Sequence, residues 1–153
     1  MSLHLRQVAL IANELRPVVE DLCGIFDLEV CYIDEEVAAF GLENSLLPVG
    51  NNFIEVVAPL KPGTAGGRYL ERRDGDGGYM VITQADGLQD QAAHRQRATN
   101  LGVRVAWERD HDGGRFMQLH PADTGGAFFE IDSTVANDAK GDWPPAGGIG
   151  WKK

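Results

Sequence analysis

Two ionisable side chains, His120 and Glu130, stand inside a pair of short apolar runs joined by a Pro/Gly turn, Phe116-Met-Gln-Leu-His-Pro-Ala-Asp-Thr-Gly-Gly-Ala-Phe-Phe-Glu-Ile131. If both runs are strands, alternation puts Phe116, Gln118 and His120 on one side, and Phe128 with Glu130 on one side of the second. A carboxylate on a Phe-lined face is costly unless something pairs with it, and a group held that way can serve as acid, base or ligand. The same pattern occurs earlier. Phe53-Ile-Glu-Val56 lies against Phe128-Phe-Glu-Ile131, so that Glu55 and Glu130 are 75 residues apart. One such glutamate reads as a side chain pointing to solvent from a half-wet antiparallel sheet. Two at matching registers favour a shared site.

The elements that must carry these residues repeat as well. Residues 3–12 alternate as a strand, with Gln7 the polar member of the face that holds Leu5, Ala9 and Ile11. Leu15, Val18, Val19, Leu22, Ile25 and Phe26 recur at helical spacing, with Asn13 as the cap, Pro17 in the first turn and an end near residues 24–27. Residues 28–33, 37–47 with a bend at Gly41, and 52–57 ended by Pro59 predict three strands. Residues 61–78, rich in Gly and charge, predict a linker with a helical turn at 69–72. The order then returns: a strand over 79–83, a helix over 88–101 stopped by Gly102, and strands over 103–107, 115–120 and 127–131.

Other positions keep the register. Phe26-Asp-Leu-Glu-Val-Cys-Tyr-Ile-Asp34 matches Leu101-Gly-Val-Arg-Val-Ala-Trp-Glu-Arg109 at the same spacing, and Gly50 meets Gly125. The first strands, Gln7-Val-Ala-Leu-Ile-Ala12 and Met80-Val-Ile-Thr-Gln-Ala85, match 73 residues apart. The expectation is an α+β fold in which two βαβββ modules form a half-open barrel. Residues 1–133 make one domain, with module one at 3–59, a linker at 60–76 and module two at 77–133, followed by a Pro/Gly-rich tail at 134–153. In that arrangement Glu55 and Glu130 face each other across a pseudo-twofold axis, with Gln7 and Met80 as the matching first-strand residues.

Composition narrows the function. At 153 residues and 43% hydrophobic the chain can bury a core without staples. A net charge of −9 and a pI near 4.8 argue against tracking nucleic-acid phosphates. No apolar run is long enough to span a bilayer and the N-terminus has no signal-peptide pattern, so the expectation is a soluble, cytoplasmic protein with no membrane partner. Cys23 and Cys31 lack metal-ligand spacing and read as reduced thiols in apolar segments. Asp123-Thr-Gly125 and Asp74-Gly-Asp-Gly-Gly78 read as turns, since the first lacks a partner copy and the second has Ala85 where a calcium loop needs glutamate. Lys61, Arg68, Arg72 and Arg73 read as a solvated linker, with contact to an anionic substrate as the alternative. Trp143 and Trp151 in the tail are candidates to pack on the body or on a second subunit.

Several phrases carry a family resemblance: Phe53-Ile-Glu-Val-Val-Ala-Pro59, Arg68-Tyr-Leu-Glu-Arg72, Leu119-His-Pro-Ala-Asp-Thr-Gly-Gly126 and Phe129-Glu130. Over residues 3–133 the chain resembles the vicinal oxygen chelate superfamily of glyoxalase I, bleomycin-resistance proteins and extradiol dioxygenases, and is most similar to methylmalonyl-CoA epimerases. The resemblance implies a divalent metal, Mg, Mn, Co, Ni or Zn, held by first-strand His or Gln and last-strand Glu. By position these are Gln7, Glu55, Met80 and Glu130. Gln7 and Met80 stand where His is commoner, and a thioether offers little to a hard cation, so the alternatives are a weak three-ligand site and no metal.

The implied reaction is proton abstraction from carbon next to a carbonyl. Glu130 is the first candidate base, and Glu43, in Leu42-Glu-Asn-Ser-Leu-Leu-Pro48, matches a second acidic residue. His120 and Gln118 are candidate donors to an enolate, and Gln118, Phe128 and Phe53 are candidate ligand contacts. For His120 a turn-closing hydrogen bond beside Pro121 is an equal reading. The function expected is an epimerase, isomerase or lyase acting on a small carbonyl metabolite or thioester, in a homodimer of the kind the superfamily forms. The alternative is a metal-free binding protein that sequesters a small molecule, as the bleomycin-resistance branch does.

Overall fold

Period-two alternation sets the strands and 3.6-residue spacing the helices. The chain runs β1 (Leu3–Ile11), α1 (Leu15–Phe26), β2 (Leu42–Val49), β3 (Asn52–Pro59), α2 (Ala65–Arg73), β4 (Gly77–Ala85), α3 (Leu88–Asn100), β5 (Val105–His111), β6 (Gly114–Leu119) and β7 (Phe128–Thr134), with 3-10 turns at Glu35–Phe40 and Pro144–Ala146. The computed structural model describes residues 2–111, 114–134 and 141–148. Its architecture is α+β, with two βαβββ-like modules and an open, mixed sheet. Two compact units divide the chain: residues 8–79 with the segment from Trp143, and residues up to Gln7 with Met80–Asp142. Among the described residues no helix is long and apolar enough to cross a membrane.

In the first unit the strand order is β2-β3-β1. β2 and β3 form an antiparallel hairpin from Leu42 opposite Pro59 to Val49 opposite Asn52. The apolar stripe of α1, Leu15, Val18, Val19, Leu22 and Cys23, lies on Ala12, Leu47 and Val56. Asn13 does not cap this helix. Its backbone N–H and Nδ2 both donate to Asp76 Oδ1, at 2.9 and 2.7 Å, and Glu14 takes the cap position without a side-chain bond.

Three further expectations for this unit are corrected. Residues 28–33 form a single bridge, Tyr32 with Leu46, instead of a strand. The Asp34 carboxylate accepts the Glu36 N–H and starts a 3-10 turn, while Asn44 Oδ1 takes the Asp34 N–H, each at 2.9 Å. Gly41, with φ 72, ends that turn, so β2 begins at Leu42 and residues 37–40 lie outside it. The expected linker holds a full helix. The Thr64 hydroxyl accepts the Gly67 N–H at 3.0 Å as an N-cap, and Gly66 packs closely, since a Cβ there would sit 2.8 Å from Leu42 Cδ2 and 3.1 Å from Ile11 Cδ1. Trp143 of the tail is fully buried, and Trp151 lies outside the described residues.

In the second unit the order is β1-β4-β7-β6-β5, β1 contributing residues 3–7. β4 and β7 are parallel, from Met80 opposite Phe128 to Gln84 opposite Asp132; β6 is antiparallel to β7 and to β5. α3 covers one face, with Ala98 packed among Ala85, Met117, Leu119 and Ile131. The other face carries Met80, Ile82 and Gln84, then Phe128, Glu130, Asp132 and Thr134, then Phe116 and Gln118. Exposure falls along it. Met80 and Phe128 are half-buried, Glu130 is 7% exposed, and Gln84 and Asp132 are 0% exposed.

Candidate functional site

Glu130 is placed by its strand. Its carbonyl is turned to β4, where Thr83 Oγ1 donates to it at 2.8 Å, so Glu130 and Gln118 oppose each other as a non-hydrogen-bonded pair, in which side chains lie closest. Gln118 Nε2 accordingly donates to Glu130 Oε2 at 2.6 Å. Two residues on, Asp132 shares the face, and the two carboxyl groups act on each other electrostatically. Burial holds Glu130 above the ordinary glutamate range, against the pull of its bond to Gln118. Asp132 is pushed well above the aspartate range, first by burial and then by the charge of Glu130.

Two adjacent buried carboxyl groups cannot both ionise cheaply, and the proton belongs on the more strongly shifted one. Neither Asp132 oxygen has a donor in good geometry among the described residues, as fits a neutral acid whose own O–H is the donor. The polar string continues at the closed end of the face. Gln84 Nε2 donates to Thr134 Oγ1 at 3.1 Å, and the buried Arg6 donates to Gln84 Oε1 at 2.9 Å and to the Gly141 carbonyl at 3.1 Å.

The first unit repeats the motif. Glu55 on β3 is 7% exposed and accepts Asn44 Nδ2 at 2.7 Å. In each unit, then, the closing-strand glutamate is buried and takes one short amide hydrogen bond from the strand before it. Tyr79 is pushed up to about 12 by burial, with Tyr69 and Glu55 adding to the effect. Phe53 is buried on β3 and Gln7 is buried on β1. Glu43 is exposed on β2, because alternation gives the inward position to Asn44.

His120 lies in the turn after β6. Its Nδ1 accepts the Ala122 N–H at 3.2 Å, with Arg104 Nη2 at 3.4 Å, and its carbonyl takes the Asp123 N–H at 2.9 Å and the Thr124 hydroxyl at 3.2 Å. Arg104 also grips Asp123 through Nε and Nη2, at 2.8 and 2.9 Å, which holds that carboxylate well below its usual range. A surface depression lined by Asn13, Pro59 and the end of α2 shares no residue with either carboxylate cluster.

Gln118, Glu130, Met80 and Phe128 therefore share one face, and sequence reasoning missed a further buried acid on it, Asp132. The signal was present: continuing the alternation of β7 by two residues puts Asp132 beside Glu130. As metal donors the positions carried over by resemblance are poorly matched. Glu130 is engaged by Gln118, Glu55 by Asn44, and the Met80 thioether is soft where Mg²⁺ or Mn²⁺ wants oxygen. Among the described residues no three His, Cys, Asp or Glu side chains cluster as a metal site.

Comparison with known proteins finds no matching family model and no matching curated protein. Solved structures do match. A hypothetical protein from Bacillus halodurans C-125 superposes with a TM-score of 0.73 at 18% identity, over 88% of this chain and 96% of its own. Methylmalonyl-CoA epimerase from Mycobacterium tuberculosis gives 0.69 at 22% identity, over 86% and 88%. A Streptomyces coelicolor methylmalonyl-CoA epimerase variant in complex with 2-nitronate-propionyl-CoA gives 0.70 at 19%, over 86% and 97%. At these identities the likeness is one of fold: the chain shares the glyoxalase-like architecture of these structures, methylmalonyl-CoA epimerases among them.

Proposed function

We propose that the protein is an enzyme of the epimerase or isomerase type, moving a proton on the carbon next to the carbonyl of a small metabolite, acyl thioesters included. The observation that carries this reading is Glu130, a carboxylate buried beside the half-buried Met80 and Phe128, oriented by Gln118 and raised toward the range useful for a general base. As the C–H bond breaks, the proton passes to Glu130 and the electron pair moves to the carbonyl oxygen, giving an enolate. The second N–H of the Gln118 amide is the donor at hand for that oxygen. Reprotonation from the opposite face gives the epimer. No step is routed through a metal. The fold neighbours that are methylmalonyl-CoA epimerases support a thioester substrate. A homodimer belongs to the same proposal, and sedimentation at twice the 16.6 kDa chain mass is expected.

The test is deuterium uptake from D₂O into 2-oxo acids and acyl-CoA esters, followed by NMR or mass spectrometry. The purified protein should catalyse uptake with at least one of these, and Glu130→Gln should lose about 10²-fold or more. Uptake that survives in Glu130→Gln removes Glu130 as the base. A second reading, a binding protein, is favoured by Met80 at a ligand position and by the buried acid that shares the face of Glu130. Ligand-induced thermal stabilisation without any uptake would select it.

A further inference from the structure

The ladder between β6 and β7 is open at one place. Pairing joins Gly114 with Thr134 and Arg115 with Ser133, then resumes at Gln118 with Glu130 and Leu119 with Phe129, skipping Phe116–Asp132 and Met117–Ile131. The register is the same on both sides, so no residue has been inserted and this is not a bulge. Because the Glu130 carbonyl is turned to β4, the Ile131 carbonyl points to β6, where Met117 and Ile131 would ordinarily exchange two backbone hydrogen bonds. A side chain takes the carbonyl instead. Gln91 of α3, wholly buried, donates Nε2 to the Ile131 carbonyl at 3.2 Å.

Gln91 does not gain a satisfied amide from this position. Its Oε1 is buried with no partner among the described residues, an unfavourable state that Met or Leu of similar volume would avoid. The bond to Ile131 is what its polarity supplies. We propose that Gln91 is a positioning residue: by holding the Ile131 carbonyl it keeps this step of the ladder open, and so fixes how the two residues flanking Ile131 on β7, Glu130 and Asp132, lie on their face. The consequence for catalysis rests on the reading of Glu130 as base; the claim about the ladder does not.

Gln91→Met keeps the length and removes the donor. The Ile131 carbonyl then recovers a partner by closing on Met117, so hydrogen exchange of the Met117 amide, followed by NMR, should slow by about tenfold or more while Arg115 and Leu119 stay unchanged. On any substrate found, kcat for deuterium uptake should fall about tenfold with KM unaltered, since a misplaced base weakens the transition state alone. Gln91→Leu, which likewise has no donor, should behave alike and serves if the methionine variant does not fold. Met117 exchange unchanged in a folded variant overturns the proposal, whatever happens to kcat. If the wild type shows no uptake, the enzymatic reading falls and the Met117 amide still decides the role of Gln91.

Discussion

Asp132 and Asp123 show how the same side chain acquires opposite pH behaviour from its surroundings. Asp132 is raised by burial and by the neighbouring Glu130, so it binds a proton on folding. Its contribution to stability is complete below the unfolded aspartate value, about 3.9, and is lost as pH rises through the folded value. Asp132→Asn removes that titration. In urea unfolding followed between pH 4 and 8, the variant should gain on the wild type steadily as pH rises; a difference between the two that does not vary with pH would contradict the neutral-acid assignment. Asp123 runs the other way, since Arg104 lowers it and its contribution is lost only as pH falls through the depressed folded value. Glu130 and Gln118 were legible in the sequence because strand alternation assigns faces without knowledge of neighbours. Asn44 and Glu43 were not. A one-residue choice of inward position exchanges the two faces, and nothing local to Leu42-Glu-Asn-Ser decides it.

Elements with a clean period were predicted well, and those set by capping were not. β1, α1, β4, α3, β6 and β7 fall where alternation or helical spacing put them, because each has one face to bury, while β5 runs over Val105–His111 where residues 103–107 were expected. α2 begins Ala-Gly-Gly, with poor intrinsic propensity, and owes its start to Thr64 and its burial to Tyr69 and Leu70. Likewise the Asp34 cap competes with strand pairing and wins over residues 35–40. Two substitutions test this division. Thr64→Ala should cost about 1 kcal/mol through the lost cap, and Leu47→Ala, at a position fully buried beneath α1, about 2–5 kcal/mol through the cavity left behind. Equilibrium denaturation measures both. A Thr64→Ala protein as stable as the wild type would mean that packing alone holds α2, and the capping argument would then lose its support.

Over the whole molecule, duplication supplies equivalent positions without requiring equivalent chemistry. The two closing strands each carry a buried glutamate with an amide partner, whereas the first strands carry different residues, Gln7 and Met80. A metal site built on a first and a closing strand needs donors from both, so the thioether at Met80 has a measurable consequence. Isothermal titration of the wild type with Mn²⁺ or Co²⁺ should show weak binding, and dialysis against a chelator should leave any deuterium uptake unchanged. Met80→His puts an imidazole on the face that already carries Glu130, and should tighten Co²⁺ or Zn²⁺ binding by about tenfold or more, since nitrogen suits these ions better than a thioether does. The imidazole has the further effect of drawing Glu130 toward the metal and away from Asp132, so added metal should slow uptake in the variant and not in the wild type. Tight wild-type binding that Met80→His does not improve would show that the present donors already suffice, and the metal-free route through Glu130 would have to be given up.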